Sequence, residues 1–235
     1  MSSAIANTSD SEQAGKQANK HADRSARTRA RFVAAAQELF AERSIDSVSL
    51  NEITQAAGQK NRNALQYHFG NREGLLQAII DSHAPHVHAL RQDIIDEIER
   101  SGLAAPQAAA RALVEPLYQY VQQEAEGIHY IKILSQMAVF NSPMLSPDAS
   151  RGFTFRRDKR MNALFAKALQ KLPAEEAQRR VFLTVSITFH SIADVCRSTE
   201  HLGQASGKRQ RAELFEQVIL AIESLLAAPS AGAAS

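Results

Sequence analysis

Five polar side chains between residues 60 and 66 are of the types that read the edges of DNA bases. In the major groove, arginine can form two hydrogen bonds with guanine, and asparagine or glutamine can form two with adenine. A helix that is polar on most of its surface gains little from burial in a protein core, so it faces either solvent or a polar partner. These residues alone are consistent with both a solvated surface helix and a DNA-reading helix. The five side chains are those of Lys60, Asn61, Arg62, Asn63 and Gln66.

The stretch just before these residues is typical of the first helix of a helix-turn-helix. Ser49 and Glu52 have the spacing of a capping box, in which each side chain binds the backbone amide of the other residue. Val48 and Ile53 stand at the two apolar positions that flank such a cap. Gly58 follows about two helical turns later, where the chain must turn before the polar helix begins. This order of elements favours DNA reading over a solvated surface.

Helical patterns on either side would complete a small domain. Apolar residues recur with helical spacing from Phe32 to Phe40, which predicts a first helix over residues 26–43. An aromatic cluster runs from Tyr67 to Phe69, and Asn71 is placed to cap the next helix. We therefore expect a domain of three helices.

Together these features resemble the N-terminal domain of the TetR/AcrR family of one-component transcriptional repressors. The resemblance lies in Phe32 to Phe40 within RFVAAAQELFAERS, in Val48 to Ala57, and in Ala64 to Leu76 with ALQYHFGNREGLL. It implies that the segment from Lys60 to Gln66 reads double-stranded DNA, with the protein bound as a homodimer to a palindromic operator. It also implies phosphate contacts from Ser49, Tyr67, His68 and Arg72.

The chain of 235 residues has a formal net charge of only +2, but its positive charge is concentrated in this domain. Between residues 24 and 72 there are eight basic residues against four acidic ones, whereas residues 81–235 contain equal numbers of both. Neutralising DNA phosphates requires such a local excess. The excess is modest, so it supports DNA binding only together with the motif.

Composition also indicates the cellular compartment in which the protein is expected. A single cysteine, Cys196, excludes a disulfide within the chain and fits a reducing compartment. No apolar run approaches the ~20 residues that span a bilayer, and residues 1–26 lack the apolar block of a signal peptide. We therefore expect a cytoplasmic protein. Residues 1–25 are too polar to build a core, which predicts a disordered arm that is either passive or touches the DNA backbone.

Beyond residue 70 the sequence predicts only helices, so the expected fold is all-α with about nine helices. Pro85 should kink or divide the long connecting helix, and Ser146-Pro147-Asp148 has the pattern of a helix start. Glycine and proline breakers predict five further helices at about 106–125, 128–140, 147–171, 174–199 and 210–227. The predicted units are an arm (1–25), a helix-turn-helix domain (26–70), a connecting helix (71–101), a ligand-binding and dimerisation bundle (102–228) and a tail (229–235).

Isolated polar groups in two nearly apolar segments, residues 128–140 and 181–196, have two interpretations. They are either satisfied polar residues of an ordinary core or oriented groups in a small-molecule pocket. The family resemblance favours the pocket, because such repressors commonly answer to a ligand. The candidate ligand-binding residues are His129, Met137, Phe140, Phe165, Phe189 and His190.

The last predicted helix carries a broad apolar stripe. Such a helix can simply cap its own domain, but the resemblance implies that the last two helices of two subunits form a four-helix interface. We expect the stripe to serve both purposes. The residues expected at the dimer interface are Phe215, Val218, Ile219, Ile222 and Leu226.

Catalysis, metal binding and a cofactor are not expected. His83, His86 and His88 are close in sequence, but His88 leaves the shared helical face and no carboxylate or cysteine completes a ligand set. His190 and Asp194 lie one helical turn apart without a nucleophile. Two alternatives remain, which are a repressor released by a largely apolar small molecule and a dimeric DNA-binding protein with a filled core and no effector.

Overall fold

The computed structural model describes residues 6–61, 63–138, 158–202 and 204–230, and their regular structure is entirely helical, as predicted. The helices are α1 (Ala6–Glu42), α2 (Leu50–Ala56), α3 (Asn63–Phe69), α4 (Arg72–Ser101), α5 (Ala105–Gln123), α6 (Gly127–Met137), α7 (Lys159–Ala168), α8 (Ala174–Thr199) and α9 (Gln204–Ala227), with a short 3-10 helix (Ile45–Ser47) between α1 and α2. Within these ranges no helix has the length and apolar character needed to cross a membrane.

The first helix is much longer than the sequence predicted. We expected a disordered arm before residue 26, whereas residues 6–25 continue α1 towards the N-terminus. This stretch contains no proline, and its four alanines, two glutamines and two lysines are good helix formers. Adding turns to a helix that is already fixed by packing avoids the cost of nucleation, so the extension does not need burial to form.

The first four helices share a small core that positions the helix-turn-helix. Phe32, Phe40, Ile53 and Leu65 are almost completely buried. The predicted capping box is confirmed, because the Ser49 amide donates to Glu52 Oε2 (2.8 Å) and the Glu52 amide donates to Ser49 Oγ (3.2 Å). The hydrogen bond from the Ser49 backbone, followed by that from Arg43, lowers the pKa of Glu52 to about 2. The N-terminus of α2 is thus fixed by local bonds.

Helix α4 joins this domain to the bundle without interruption. Its predicted cap is confirmed, since Asn71 Oδ1 accepts a hydrogen bond from the Gly74 amide (2.8 Å). Pro85 lies inside the helix and does not divide it, contrary to one of the two expected outcomes. A proline removes one backbone hydrogen bond, and the apolar residues that α4 buries on both sides of Pro85 hold the remaining turns together. The helix ends at Gly102, whose φ of 67° requires glycine.

The bundle is built around α5, which packs against α4, α6, α7 and α9. The predicted helix over 147–171 does not run through residue 158, because Asp158 is extended and caps the start of α7 by accepting bonds from two backbone amides. The predicted helix start at Ser146-Pro147-Asp148 lies outside the described residues. Gly207 was expected to break the chain, but it lies within α9, where an added Cβ would sit 3.2 Å from the Thr199 carbonyl oxygen. That glycine allows α8 and α9 to approach closely.

A buried polar cluster joins α1 to the bundle through His83 of α4. His83 Nε2 donates to Gln37 Oε1 (2.7 Å), which leaves Nδ1 to accept from the Tyr120 hydroxyl. The imidazole also stacks on Tyr130, with 4.6 Å between ring centroids. Burial lowers the pKa of His83 to about 4, so the ring is neutral at physiological pH. His83 is thus a connector between helices α1, α4, α5 and α6.

The other two histidines of the predicted cluster have separate partners. His86 Nδ1 lies 3.3 Å from a carboxylate oxygen of Glu124, and His88 Nδ1 lies 3.3 Å from one of Asp158. In the described part of the chain, these side chains and their neighbours form no group that could hold a metal ion.

A second connection is made by Gln136 near the end of α6. Its amide nitrogen donates to the carbonyl oxygens of Phe40 (2.7 Å) and Arg43 (3.3 Å) at the C-terminus of α1. Its amide oxygen accepts a bond from the Ile45 amide (2.8 Å). The carbonyl oxygen of the same Ile45 accepts a bond from the Arg72 guanidinium at the start of α4. The backbone of Ile45 is therefore held by α6 on one side and by α4 on the other.

We expect Gln136→Leu to lower the free energy of unfolding by about 1–3 kcal/mol, because it preserves side-chain size but leaves two carbonyls and the Ile45 amide without their partner. Urea unfolding followed by circular dichroism measures this change, with Gln170→Leu at an exposed position as the matched control. Amide hydrogen exchange should also accelerate at Ile45. If both variants have equal stability and Ile45 exchanges at the wild-type rate, the connection through Gln136 has no energetic role.

Candidate nucleic-acid interface

The residues expected to read DNA lie on α3 and in the turn before it. Helix α3 begins only at Asn63, so Lys60 and Asn61 precede it rather than lying on its surface, and Arg62 is outside the described residues. Asn61 explains this boundary, because its side-chain oxygen accepts a hydrogen bond from the Asn63 amide (2.9 Å). Such a bond ends the turn and starts a helix. The predicted polar helix is therefore shorter than expected at its N-terminal end.

Helix α3 has one buried and one exposed face. Leu65 is 1% exposed and anchors the helix in the domain core. Asn63, Gln66 and Tyr67 face solvent, and the Tyr67 side chain is 84% exposed. The exposed face thus offers two amide side chains and a phenol hydroxyl, which are groups able to bind base edges and phosphates.

The aromatic cluster at the end of α3 divides between the core and the surface. Phe32 of α1 lies 6.1 Å from Phe69 and 6.2 Å from His68, measured between ring centroids. The Arg29 guanidinium lies over the Phe69 ring, 5.1 Å from its centroid. Phe69 and His68 are half-buried by these contacts, whereas Tyr67 stays exposed although its ring centroid lies 5.2 Å from that of His68. The cluster therefore fixes the C-terminal end of α3 against α1 and leaves most of the Tyr67 ring in solvent.

Ser49 and Arg72, the other expected phosphate contacts, both have structural partners. Ser49 is exposed at the N-terminus of α2, where its hydroxyl accepts the capping bond and can still donate one. Arg72 is half-buried and donates to the Ile45 carbonyl, a contact that sequence reasoning missed because its acceptor is 27 residues away. Arg43 also stabilises the start of α2, since its guanidinium pairs with Glu52 (2.7 Å) and donates to the Ser47 carbonyl oxygen (3.0 Å). Contact of Ser49 and Arg72 with phosphate stays a prediction.

The expected ligand-binding residues are not brought together in the described structure. Met137 is buried, His129, Phe165 and Phe189 are half-buried, and Phe140 is outside the described residues. His190 is exposed, so its prediction as a group inside the bundle is wrong. It lies one turn beyond the exposed Ile187, and the face of α8 that packs inward carries other residues.

Two features of the bundle bear on a small-molecule site. A cleft of about 140 Å³ lies between α4 and α5, and its lining is largely polar or charged, including Glu97, Arg111 and Glu115. This volume is below the roughly 300–1,000 Å³ typical of ligand pockets. On α8, Thr184 and Thr188 are completely buried, and their hydroxyls have no hydrogen-bond partner among the residues that the structure describes. An unpaired buried hydroxyl is costly, which makes this face of α8 a better candidate than the cleft.

The five residues expected at the dimer interface are buried within a single chain. They lie on the face of α9 that packs against α5 and α8, and Ile222 is completely inaccessible. Phe215, for example, packs against Tyr118 of α5 with 4.8 Å between ring centroids. Of the two purposes expected for this stripe, the structure therefore shows the capping of its own domain, and a role in a dimer stays a prediction. The residues are Phe215, Val218, Ile219, Ile222 and Leu226.

The outward faces of α8 and α9 carry exposed apolar side chains. In the described ranges, the exposed large apolar or aromatic side chains are Tyr67 and three aliphatic ones on α8 and α9. Leu183 and Ile187 stand one turn apart on α8, and Leu220 is on α9 with 51% of its surface exposed. Sequence reasoning missed these three side chains because the apolar periodicity of α8 and α9 is dominated by the residues that each helix buries in its own chain.

Comparison with known proteins gives a sequence match in the domain formed by α1 to α4. Residues 32–79 match the family described as bacterial regulatory proteins, tetR family. Over 77 residues, the chain is 36% identical to two proteins of Pseudomonas putida, the HTH-type transcriptional regulator TtgR and the probable HTH-type transcriptional regulator ArpR. Each match covers 32% of this chain and 36% of the relative. Both names describe regulators rather than enzymes, in agreement with the sequence-based prediction.

Among solved structures, the fold is similar to a putative TetR-family transcriptional regulator from Mesorhizobium loti MAFF303099. The TM-score is 0.43 with 22% identity, over 87% of this chain and 97% of that chain. A similarity at this level carries no assignment of its own. What the comparisons show is that residues 32–79 are similar to the tetR family of bacterial regulatory proteins, and that the match to each of the two Pseudomonas putida relatives spans 36% of that relative's length.

Proposed function

We propose that the protein is a transcriptional repressor that binds a palindromic operator as a homodimer and is released from it by a small molecule. The observation that carries this proposal is the exposed polar face of α3, presented by a domain whose α2 is capped and whose α3 is anchored by Leu65 and the Phe32 cluster. A rigid support of this kind is what a base-reading helix requires, because misplacing its side chains forfeits bidentate bonds.

Sequence-specific binding should depend on the exposed amides of α3. We expect Asn63→Ala and Gln66→Ala each to cost about 1–3 kcal/mol on a duplex enriched by the wild-type chain from a random pool, and much less on a random duplex. Fluorescence anisotropy measures both affinities, and Gln170→Ala on a distant surface is the matched control. Equal losses on the two duplexes would place Asn63 and Gln66 outside base recognition.

The exposed apolar side chains of α8 and α9 support the dimer. Leu183, Ile187 and Leu220 lie on two helices that pack against each other, so they can form one surface. A second copy, related by a two-fold axis, would cover this surface with the same residues and give a four-helix interface. A palindromic operator requires that symmetry, because each half-site is read by one α3.

Leu220→Glu should convert the dimer to a monomer, because it would bury an unpaired carboxylate in the interface at a cost of several kcal/mol. Analytical ultracentrifugation detects the change, and circular dichroism should show the helical content retained. Gln178→Glu, also exposed on α8, is the matched control and should stay dimeric. A dimer that survives Leu220→Glu would move the interface to another face, whereas Ile222→Glu cannot test it because that residue is in the core of one chain.

Release by a ligand has support from the buried hydroxyls of α8 and from the connections of Ile45. A molecule that bonds to Thr184 or Thr188 would satisfy groups that are unpaired without it. Displacement of α6 or α4 would then reach the DNA-reading helices through Gln136 and Arg72. Typical coupling of about 1–3 kcal/mol would weaken operator binding roughly 5- to 150-fold. The effector-free alternative predicts instead that no molecule that raises the Tm of the free protein alters its affinity for DNA.

A further inference from the structure

Four cations form a row along the exposed N-terminal part of α1. Lys20, Arg24, Arg27 and Arg31 are separated by four, three and four residues, which places them within an arc of about 60° on a helix of 3.6 residues per turn. All four are exposed, and none makes a hydrogen bond or ion pair with another part of the described chain. We call this set the α1 basic row.

The row is only partly balanced by local charge. Asp23 is the only acidic residue between positions 19 and 37, and it stands three residues after Lys20 and four before Arg27, so one carboxylate faces four cations that are themselves three or four residues apart. Like charges at this spacing disfavour a helix that stands alone in water. A polyanionic partner would remove that penalty, and DNA carries about one negative charge per 1.7 Å of its axis.

The helix that carries the row also contacts α3, whose exposed face is expected to bind DNA. The same helix is fixed to the C-terminal end of α3 by Phe32 and by Arg29 over Phe69, and the exposed Tyr67 projects from that end. From Arg31 to Lys20 the helix extends away from this contact over roughly 16 Å, at 1.5 Å per residue. This length compares with several phosphates of one strand, which repeat about every 3.4 Å along the axis.

We propose that the α1 basic row binds phosphates of the DNA that flanks each half-site. This inference rests on the proposed DNA-binding function and adds a second contact surface to it. Contacts to phosphate carry no information about the bases, so the row contributes affinity and salt dependence without changing base preference. It would lengthen the DNA covered by each subunit beyond the base pairs reached by α3.

The test compares the wild-type chain with a triple variant, Lys20→Gln, Arg24→Gln and Arg27→Gln, in which helix-forming glutamines preserve α1. Affinity for an enriched duplex is measured as salt is varied, once with the duplex ending at the half-sites and once with about ten base pairs added on each side. The control triple variant, Lys167→Gln, Lys171→Gln and Lys208→Gln, removes three exposed cations from α7, from the turn that follows it and from α9.

We expect the salt slope of the α1 variant to decrease by about 0.9 for each phosphate that is no longer neutralised, or about 2.7 per subunit. The flanking base pairs should strengthen binding by the wild-type chain and the control but not by the α1 variant. The ratio of affinities for enriched and random duplexes should stay unchanged. A wild-type slope in the α1 variant, or an equal gain from flanks in all three proteins, would overturn the inference. Failure of the wild-type chain to enrich any duplex would instead overturn the proposed function.

Discussion

The amide nitrogen and carbonyl oxygen of Ile45 are bonded to different helices, and the position of α2 and α3 depends on this arrangement. Gln136 of α6 accepts from its amide, and Arg72 of α4 donates to its carbonyl. Hydrogen bonds are directional, whereas the apolar contacts of α1 with its neighbours tolerate small displacements. A shift of either helix must therefore move the 3-10 helix or break a bond. The capping box at Ser49 begins just after that helix, so the movement would reach α2 and α3.

His83 adds a second point at which the two halves of the chain are joined. It is held between Gln37 of α1 and Tyr120 of α5, and burial keeps it neutral. A neutral imidazole can donate with one nitrogen and accept with the other, which suits a connector between an amide oxygen and a hydroxyl. Protonation would remove the acceptor and leave a charge in the core. This part of the joint is therefore suited to rigidity, while the Ile45 bonds are placed to transmit movement.

Features set by neighbouring residues could be predicted from the sequence. The caps at Ser49 and Asn71 and the end of α4 at Gly102 follow from bonds and backbone angles within a few positions. Residues whose role is decided by distant contacts were harder to predict. The pattern around Ile222 fits both an interface and a core position, and the packing of α5 and α8 over it decides for the core of its own chain. His190 is carried to the exposed side of α8 by the register of the whole helix.

The candidate nucleic-acid interface could also be predicted in part from the sequence. The exposed face of α3 follows from its polar sequence, but Asn61 belongs to the turn that starts the helix. Gln136 is recognisable in the sequence as an isolated polar group in the nearly apolar segment 128–140, but its three partners lie more than 90 residues earlier in the chain and could not be predicted. Sequence periodicity reports which face of a helix is apolar. It does not report which distant backbone groups a single polar side chain will reach.

Enrichment of duplexes from a fully random pool by the purified wild-type chain, followed by sequencing, tests the central claim most directly. A dimer that reads DNA with two α3 helices predicts an inverted repeat whose half-site centres are one helical turn apart, about 34–36 Å, or a multiple of it. A pool that remains random after repeated rounds, or that converges on a site without inverted symmetry, would contradict the account.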